Sequence, residues 1–182
     1  MDNNTLLIEV DEFDNKKGYV EKIKAHKLGI LHRAFSIFLF NNKKEILLQC
    51  RSSKKYHSPL LWANSCCSHH KPNADIYHTM QKRLQYELGI ENKIILKKFG
   101  SYLYRVNLNN NMIEHEFVHL FSGFLSEDIL IKPNKQEVSQ IKWKKLSQLP
   151  QVIDSSCSLW LKLYIQNKFD DIDKEACYYS LC

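Results

Sequence analysis

No apolar run in this sequence approaches the roughly 18–20 residues that a membrane-spanning helix needs. The first residues include Asp2, Glu9, Asp11, Glu12 and Asp14, with no basic residue before Lys16, the reverse of a secretory leader. There is no internal repeat, low-complexity tract or linker, so one domain over residues 1–182 is the economical expectation, with 1–15 and 171–182 peripheral. The six cysteines, Cys50, Cys66, Cys67, Cys157, Cys177 and Cys182, follow no evenly spaced framework. The vicinal pair Cys66-Cys67 is poorly placed for a structural disulfide, so free thiols in a reducing cytoplasm are expected. The lysines are scattered, and a net charge of +6 suits an anionic small molecule without demanding a nucleic acid or a membrane. Charge does not decide between a monomer and a homodimer.

What is present is an ordinary globular composition, 44% hydrophobic and 25% charged over 182 residues, enough for one real core. Leu6–Val10 reads as a first strand, and Gly18-Tyr19-Val20 as a turn into a second. Lys22–Leu28 reads as basic and irregular. His32–Phe40 is dense in apolar and β-forming residues, as in a strand buried on both faces, and Asn41-Asn42 turns it into a hairpin partner at Ile46–Arg51. Ser52–Pro59 is a polar loop. Ile76, Met80, Leu84 and Leu88 recur at helical spacing over Asp75–Leu88, with Gly89 in the stop position. Ile94–Val106 and Ile113–Leu125 read as long strands around Asn109-Asn110-Asn111, and Val138–Trp143 as another. Leu146–Leu149 reads as a turn of helix; Asp154 is expected to cap a last helix through Lys168, and the tail after Asp170 is given no fold. The fold class is α+β, a mixed sheet flanked by helices.

The stretch Asn64-Ser65-Cys66-Cys67-Ser68-His69-His70 crowds thiols, hydroxyls and imidazoles between an apolar run and a helix. A thiol near a metal or cations can act as acid or base, which makes Cys67 a candidate; Cys66 should point the other way and pack. In Glu114-His115-Glu116, strand alternation puts both carboxylates on one face and His115 on the other. Like charges so close call for solvent, a shared proton or a cation. The apolar neighbours Phe117, Val118, Leu120 and Phe121 favour a metal over a solvated edge. His26, His32 and His69, in three separate segments, can complete such a centre, a donor set suited to Mn²⁺, Zn²⁺ or Fe²⁺ rather than Ca²⁺. His57, His78 and His119 read as bystanders.

The helix ends in Lys82-Arg83-Leu84-Gln85-Tyr86-Glu87-Leu88-Gly89-Ile90, which resembles the end of the Nudix box, G-x5-E-x7-R-E-U-x-E-E-x-G-U. Ser68, Ala74, Lys82, Arg83 and Tyr86 depart from it, and Glu87 alone survives of its carboxylates. One carboxylate can support one diphosphate-bound Mg²⁺ but not a multi-metal cluster that activates water. Diphosphate binding without diphosphate cleavage is the expectation. His32-Arg33-Ala34-Phe35-Ser36, Arg51 with Lys55, Asn64–His69, Tyr86-Glu87-Leu88-Gly89 and Glu114-His115-Glu116 occur in the order found in type I isopentenyl-diphosphate isomerases, which the chain resembles from about Gly18 to Trp160.

That resemblance implies interconversion of isopentenyl and dimethylallyl diphosphate in a single Nudix-like domain. It gives Cys67 and Glu116 the two acid/base roles, on opposite faces of the substrate, with Tyr104 beside Glu116. It gives His26, His32, His69, Glu114 and Glu116 to a first divalent ion (Mn²⁺, Zn²⁺ or Mg²⁺), and Glu87, with the Cys67 carbonyl, to a Mg²⁺ on the diphosphate. Lys22, Arg51, Lys55, Ser68 and Arg83 would contact the diphosphate, and the Trp160 indole would face a carbocation, an attraction of about 2 kcal/mol or more when desolvated. The alternatives are a Nudix pyrophosphohydrolase, which should keep the glutamates lost here, and a non-enzymatic diphosphate- or metal-binding relative, which would be expected to lack Cys67 or Glu116. A zinc or redox role for Cys66, Cys67, His69 and His70 is poorer, because four donors so close in sequence cannot wrap one tetrahedral ion.

Overall fold

In the computed structural model, which describes residues 5–108 and 111–181 and only the backbone at Val152, the sheet is built on one strand, β3 (His32–Phe40). Of the expected features, Asn109-Asn110 and Cys182 lie outside the described residues. Side chains of β3 alternate between two covered faces: Phe35, Ile37 and Leu39 on one, Ala34, Phe38 and Phe40 on the other. The remaining strands are β1 (Leu6–Val10), β2 (Lys16–Glu21), β4 (Glu45–Arg51), β5 (Trp62–Ala63), β6 (Cys66–His69), β7 (Leu96–Asn107), β8 (Ile113–Phe124) and β9 (Val138–Lys145). β8 runs parallel to β3 and β6 antiparallel on its other side; β7 pairs with β8, and β4 carries β5 and β9. The result is a nine-stranded mixed sheet.

Five helices accompany it among the described residues: α1 (Lys22–Leu28), α2 (Ile76–Leu88), α3 (Leu149–Val152), α4 (Leu159–Asn167) and α5 (Phe169–Tyr179). Met80, Leu84 and Leu88 of α2 cover the Phe35 face. Trp160, Leu161 and Tyr164 of α4, with Ile172, Ala176 and Tyr179 of α5, cover the Phe38 face. This is the expected α+β architecture of a mixed sheet flanked by helices. α2 starts where Asp75 accepts from the His78 N–H (2.7 Å) and stops at Gly89, whose φ of 65° an L side chain resists. A Cβ there would also lie 2.3 Å from the Lys132 carbonyl oxygen, so only glycine fits.

Three expectations about the helices fail. Lys22–Leu28 is helical, not irregular: Gly29 closes it in the left-handed region at φ 65°, although no side chain caps its start. Ser158, not Asp154, caps α4, accepting from the Leu161 N–H (3.4 Å), while Asp154 binds the Ser156 N–H (2.8 Å) in the preceding turn. The tail after Asp170 forms most of α5, with Asp170 and Asp171 in its first turn, where the helix dipole favours negative charge. Within the described parts of 1–15 and 171–182, Leu7 of β1 and Ile172 of α5 are fully buried.

Candidate active site

The register of the sheet gathers the site. Along β3, His32 lies beside Glu116 of β8, Ala34 beside His69 of β6, and Ser36 beside Cys67. Tyr104 of β7 lies opposite Glu116. Because faces alternate, His32, Ser36, Cys67, His69, Tyr104, Glu114 and Glu116 share the side covered by α4. The other parity is equally clear. Cys66, beside Ile37, packs among the apolar residues under α2, and His115 Nδ1 donates to the Gly29 carbonyl (2.9 Å).

α1 adds His26 to the buried end of this face. His26 Nδ1 donates to the Lys22 carbonyl and His32 Nδ1 to the Ile30 carbonyl, each at 2.8 Å. A carbonyl can only accept, so both rings carry the proton on Nδ1 and turn a bare Nε2 inward. Both Nε2 atoms are buried without a hydrogen-bond partner. His32 Nε2 stands 3.6 Å, and His69 Nε2 3.1 Å, from Glu116 Oε1. The His32 lone pair, aimed at a carboxylate oxygen, is repelled unless a cation lies between them. Donor atoms of His26, His32, His69 and Glu116 all fall within 4.8 Å of one another, and those of His26, His57 and Glu114 do likewise. Burial, with the neighbouring His32, pushes His26 down to about 4, and burial takes His69 down to about 3, so both rings are neutral and fit to ligate. Burial and the Glu116 charge push Glu114 up to about 8. Burial would raise Glu116 too, but its hydrogen bond with His69 helps hold it below the usual carboxylate range. Tyr104 OH is shared between Glu116 Oε2 (2.6 Å) and Glu114 Oε2 (3.0 Å). The donor set fits a divalent transition ion, with the Nδ1–H groups of His26 and His32 anchored to the backbone.

Beside this cluster lies a cavity of about 100 Å³, lined by Cys67, Tyr104, Glu114, Glu116, Trp160 and Tyr164, with Lys22, Arg51, Lys55, Ser68, His69 and Arg83 also on its wall. Lys22, Lys55, Ser68, His69 and Arg83 also line an outer depression of about 300 Å³. Burial, then the charges of Lys55, Arg83 and Arg51, push Lys22 down to about 8, which marks a place short of negative charge. Arg51 is fixed by donating to the carbonyls of His57 (3.0 Å) and Ser58 (3.1 Å), its guanidinium 5.1 Å from the Trp160 ring centre. Glu87 does not line the cavity. Its carboxylate is held by Arg83 and by Gln49 Nε2 (3.0 Å), and burial, which would raise it, is outweighed by the cations of Arg83 and Lys55.

Comparison with known proteins supplies the family. The NUDIX domain matches residues 30–157. An isopentenyl-diphosphate Delta-isomerase 2 of Photorhabdus laumondii subsp. laumondii is 39% identical over 93% of this chain and 96% of its own length. A protein of the same name from Aromatoleum aromaticum is 42% identical over 79% of this chain and 74% of its own. The chain belongs to the isopentenyl-diphosphate Delta-isomerase family. Two solved structures share its fold: DR0079 from Deinococcus radiodurans (TM-score 0.68, 14% identity, 88% of this chain and 98% of that one) and a MutT protein from Methanosarcina mazei Go1 (0.60, 16%, 80% and 94%).

This isopentenyl-diphosphate Delta-isomerase family member also brings in residues that sequence reasoning missed. Cys67 Sγ donates to Asn64 Oδ1 (2.8 Å) and lies 3.3 Å from Ser36 Oγ, which in turn meets Tyr164 OH at 2.9 Å. Glu137 pairs with Lys55 and, at 3.6 Å, with Arg83, joining two of the expected anion-binding cations. His57, read as a bystander, is buried on the cavity wall with Nε2 3.4 Å from Glu114 Oε1. The other two read as bystanders stay outside: His78 is exposed and His119 pairs with Asp14 (3.0 Å). Asn64 and Ser36 had a signal, their adjacency to Cys67 in chain or register; His57 and Glu137, in irregular segments, had none.

Proposed function

We propose that this chain interconverts isopentenyl and dimethylallyl diphosphate, with Cys67 and Glu116 handling the two protons. The carrying observation is that a thiol on β6 and a carboxylate on β8, on either side of β3, open onto one small cavity. A 1,3-allylic shift places a proton on one carbon and takes one from another, so it needs two such groups. Burial pushes the Cys67 thiol up to about 12, opposed by its hydrogen bond with Ser36, so it holds a proton, while Glu116 is held ionised and can receive one. Tyr104 keeps the Glu116 oxygen oriented and shares its hydroxyl with Glu114. A cavity of about 100 Å³ suits a short alkenyl chain rather than a nucleoside, and the outer depression with Lys22, Lys55 and Arg83 suits a diphosphate. The Trp160 ring, beside Arg51 and 5.9 Å from the His57 ring centre, supplies an aromatic face to a cationic intermediate.

A divalent ion among His26, His32, His69, Glu114 and Glu116 would offset the two buried carboxylates and fix Glu116 in place. A Mg²⁺ brought with the diphosphate would draw on Glu87 and the Cys67 carbonyl, once Glu87 turned from Arg83. The hydrolase reading lacks its carboxylates, since Ala74, and Arg83 and Tyr86 on α2, occupy glutamate positions of the box. The partner is therefore a small diphosphate. No helix of the described residues is long and apolar enough to cross a membrane. The deciding experiment incubates the protein with isopentenyl diphosphate and Mg²⁺: the allylic isomer should form, and release of phosphate or pyrophosphate in its place overturns the proposal.

A further inference from the structure

His57 lies outside every role considered so far, yet it is only 6% exposed and stands among the residues of the metal cluster. Its ring stacks on His26 (centroids 6.0 Å apart, planes 28° apart) and meets Trp160 edge-on. Its Nδ1 lies 3.4 Å from Ser58 Oγ, and its Nε2 faces Glu114 Oε1 at 3.4 Å. Two hydrogen bonds from Arg51 to the His57 and Ser58 carbonyls pin the backbone that carries it.

The two donor groups of the cluster, His26 with His32, His69 and Glu116, and His26 with His57 and Glu114, share one imidazole. His26 has its Nδ1 committed to Lys22, so it offers a single lone pair, on Nε2. One lone pair serves one ion, so His26 cannot serve two, and the two groups, which do not form one set within 4.8 Å, become a single centre when the ion draws their donors together. We propose that His57 Nε2 is a direct ligand of that ion, taking the position beside Glu114 and completing six protein donors: His26, His32, His57, His69, Glu114 and Glu116. This rests on the metal reading above and deepens it. An ion so enclosed keeps no open position for water or substrate. Its work is then to organise Glu114 and Glu116, leaving the diphosphate to the cationic wall.

The test uses the substrate-free protein with one equivalent of Mn²⁺. In the unaltered chain, solvent-water proton relaxation should show little enhancement, because no water reaches the ion directly. His57→Ala should bind Mn²⁺ more than about 100-fold more weakly, beyond the range for residues that merely support a ligand. It should also gain the relaxation enhancement of a directly bound water. Weaker binding without that enhancement overturns direct ligation and makes His57 a supporting donor; unchanged affinity and relaxation overturn any role. Failure of the unaltered chain to bind Mn²⁺ overturns the metal reading itself. Should His57→Ala not fold, cadmium-113 bound to the ¹⁵N-histidine-labelled unaltered chain decides the matter. One-bond couplings to four histidine nitrogens support the proposal, and couplings to three overturn it.

Discussion

Cys67 meets Asn64 and Ser36 at the cavity, whereas Cys66, one residue earlier, is enclosed by the apolar side chains under α2. Substitution should separate them sharply. Cys67→Ala and Glu116→Gln should each lower turnover by about 10²–10⁴-fold, the usual worth of a positioned acid or base. Cys66→Ala should leave turnover near normal and cost only stability; the isomerisation assay and a urea titration read both, and a dead Cys66→Ala would reverse the assignment. Tyr104→Phe leaves Glu114 and Glu116 without their shared donor, so turnover should fall by about tenfold or more with little change in KM, measured by steady-state kinetics. The parity of a strand is written in odd and even positions, so the opposite facing of Cys66 and Cys67, and of His115 and its two flanking glutamates, was readable beforehand, whereas the choice of Cys67 came from the family resemblance. His57 was not readable, because a polar loop has no period, and the packing that buries its imidazole comes from α1 and α4.

At the scale of elements, α2 shows how little latitude some joints have. Gly89→Ala must place a Cβ against the Lys132 carbonyl at a positive φ, and should destabilise the protein by more than about 1 kcal/mol. Leu84→Ala, in the buried stripe of the same helix, should cost about 2–5 kcal/mol. Chemical denaturation measures both, and unchanged midpoints would refute the packing described. The stripe and the stop glycine made α2 legible in the sequence, as dense β-formers did for β3 and β8. α1 was obscured by Lys22, Lys24 and Lys27 in only seven residues, although Gly29 marked its end. In α5 the signal was present and outweighed: Ile172, Ala176 and Tyr179 keep helical spacing, but the acidic start drew attention from it.

At the scale of the whole molecule, the last described helix is tied into the sheet. Glu175 of α5 accepts from Ser122 of β8 (2.6 Å) and from Lys97 of β7 (3.1 Å), so the last helix is tied to the hairpin that carries Tyr104, Glu114 and Glu116. A chain ending at Lys168 loses three buried apolar side chains, the buried Glu175 and these bonds, and its thermal unfolding should shift down by an amount matching about 4 kcal/mol or more. Chelation of the proposed ion should lower stability by about 2.7 kcal/mol relative to a sample held at a hundred times the dissociation constant, since α1, β3, β6 and β8 all contribute donors. The parallel pairing of β3 with β8 carries a temporal consequence. His26, His32 and His69 leave the ribosome long before Glu114 and Glu116, and β3 must wait for β8 before His32 has Glu116 as its neighbour. Long-range pairing of this kind is slow, and it makes the centre a late event of folding rather than a nucleus for it. Until β8 pairs with β3 the carboxylates that complete the proposed centre are elsewhere, so an ion taken up earlier would meet three imidazoles alone, a set that itself ligates zinc.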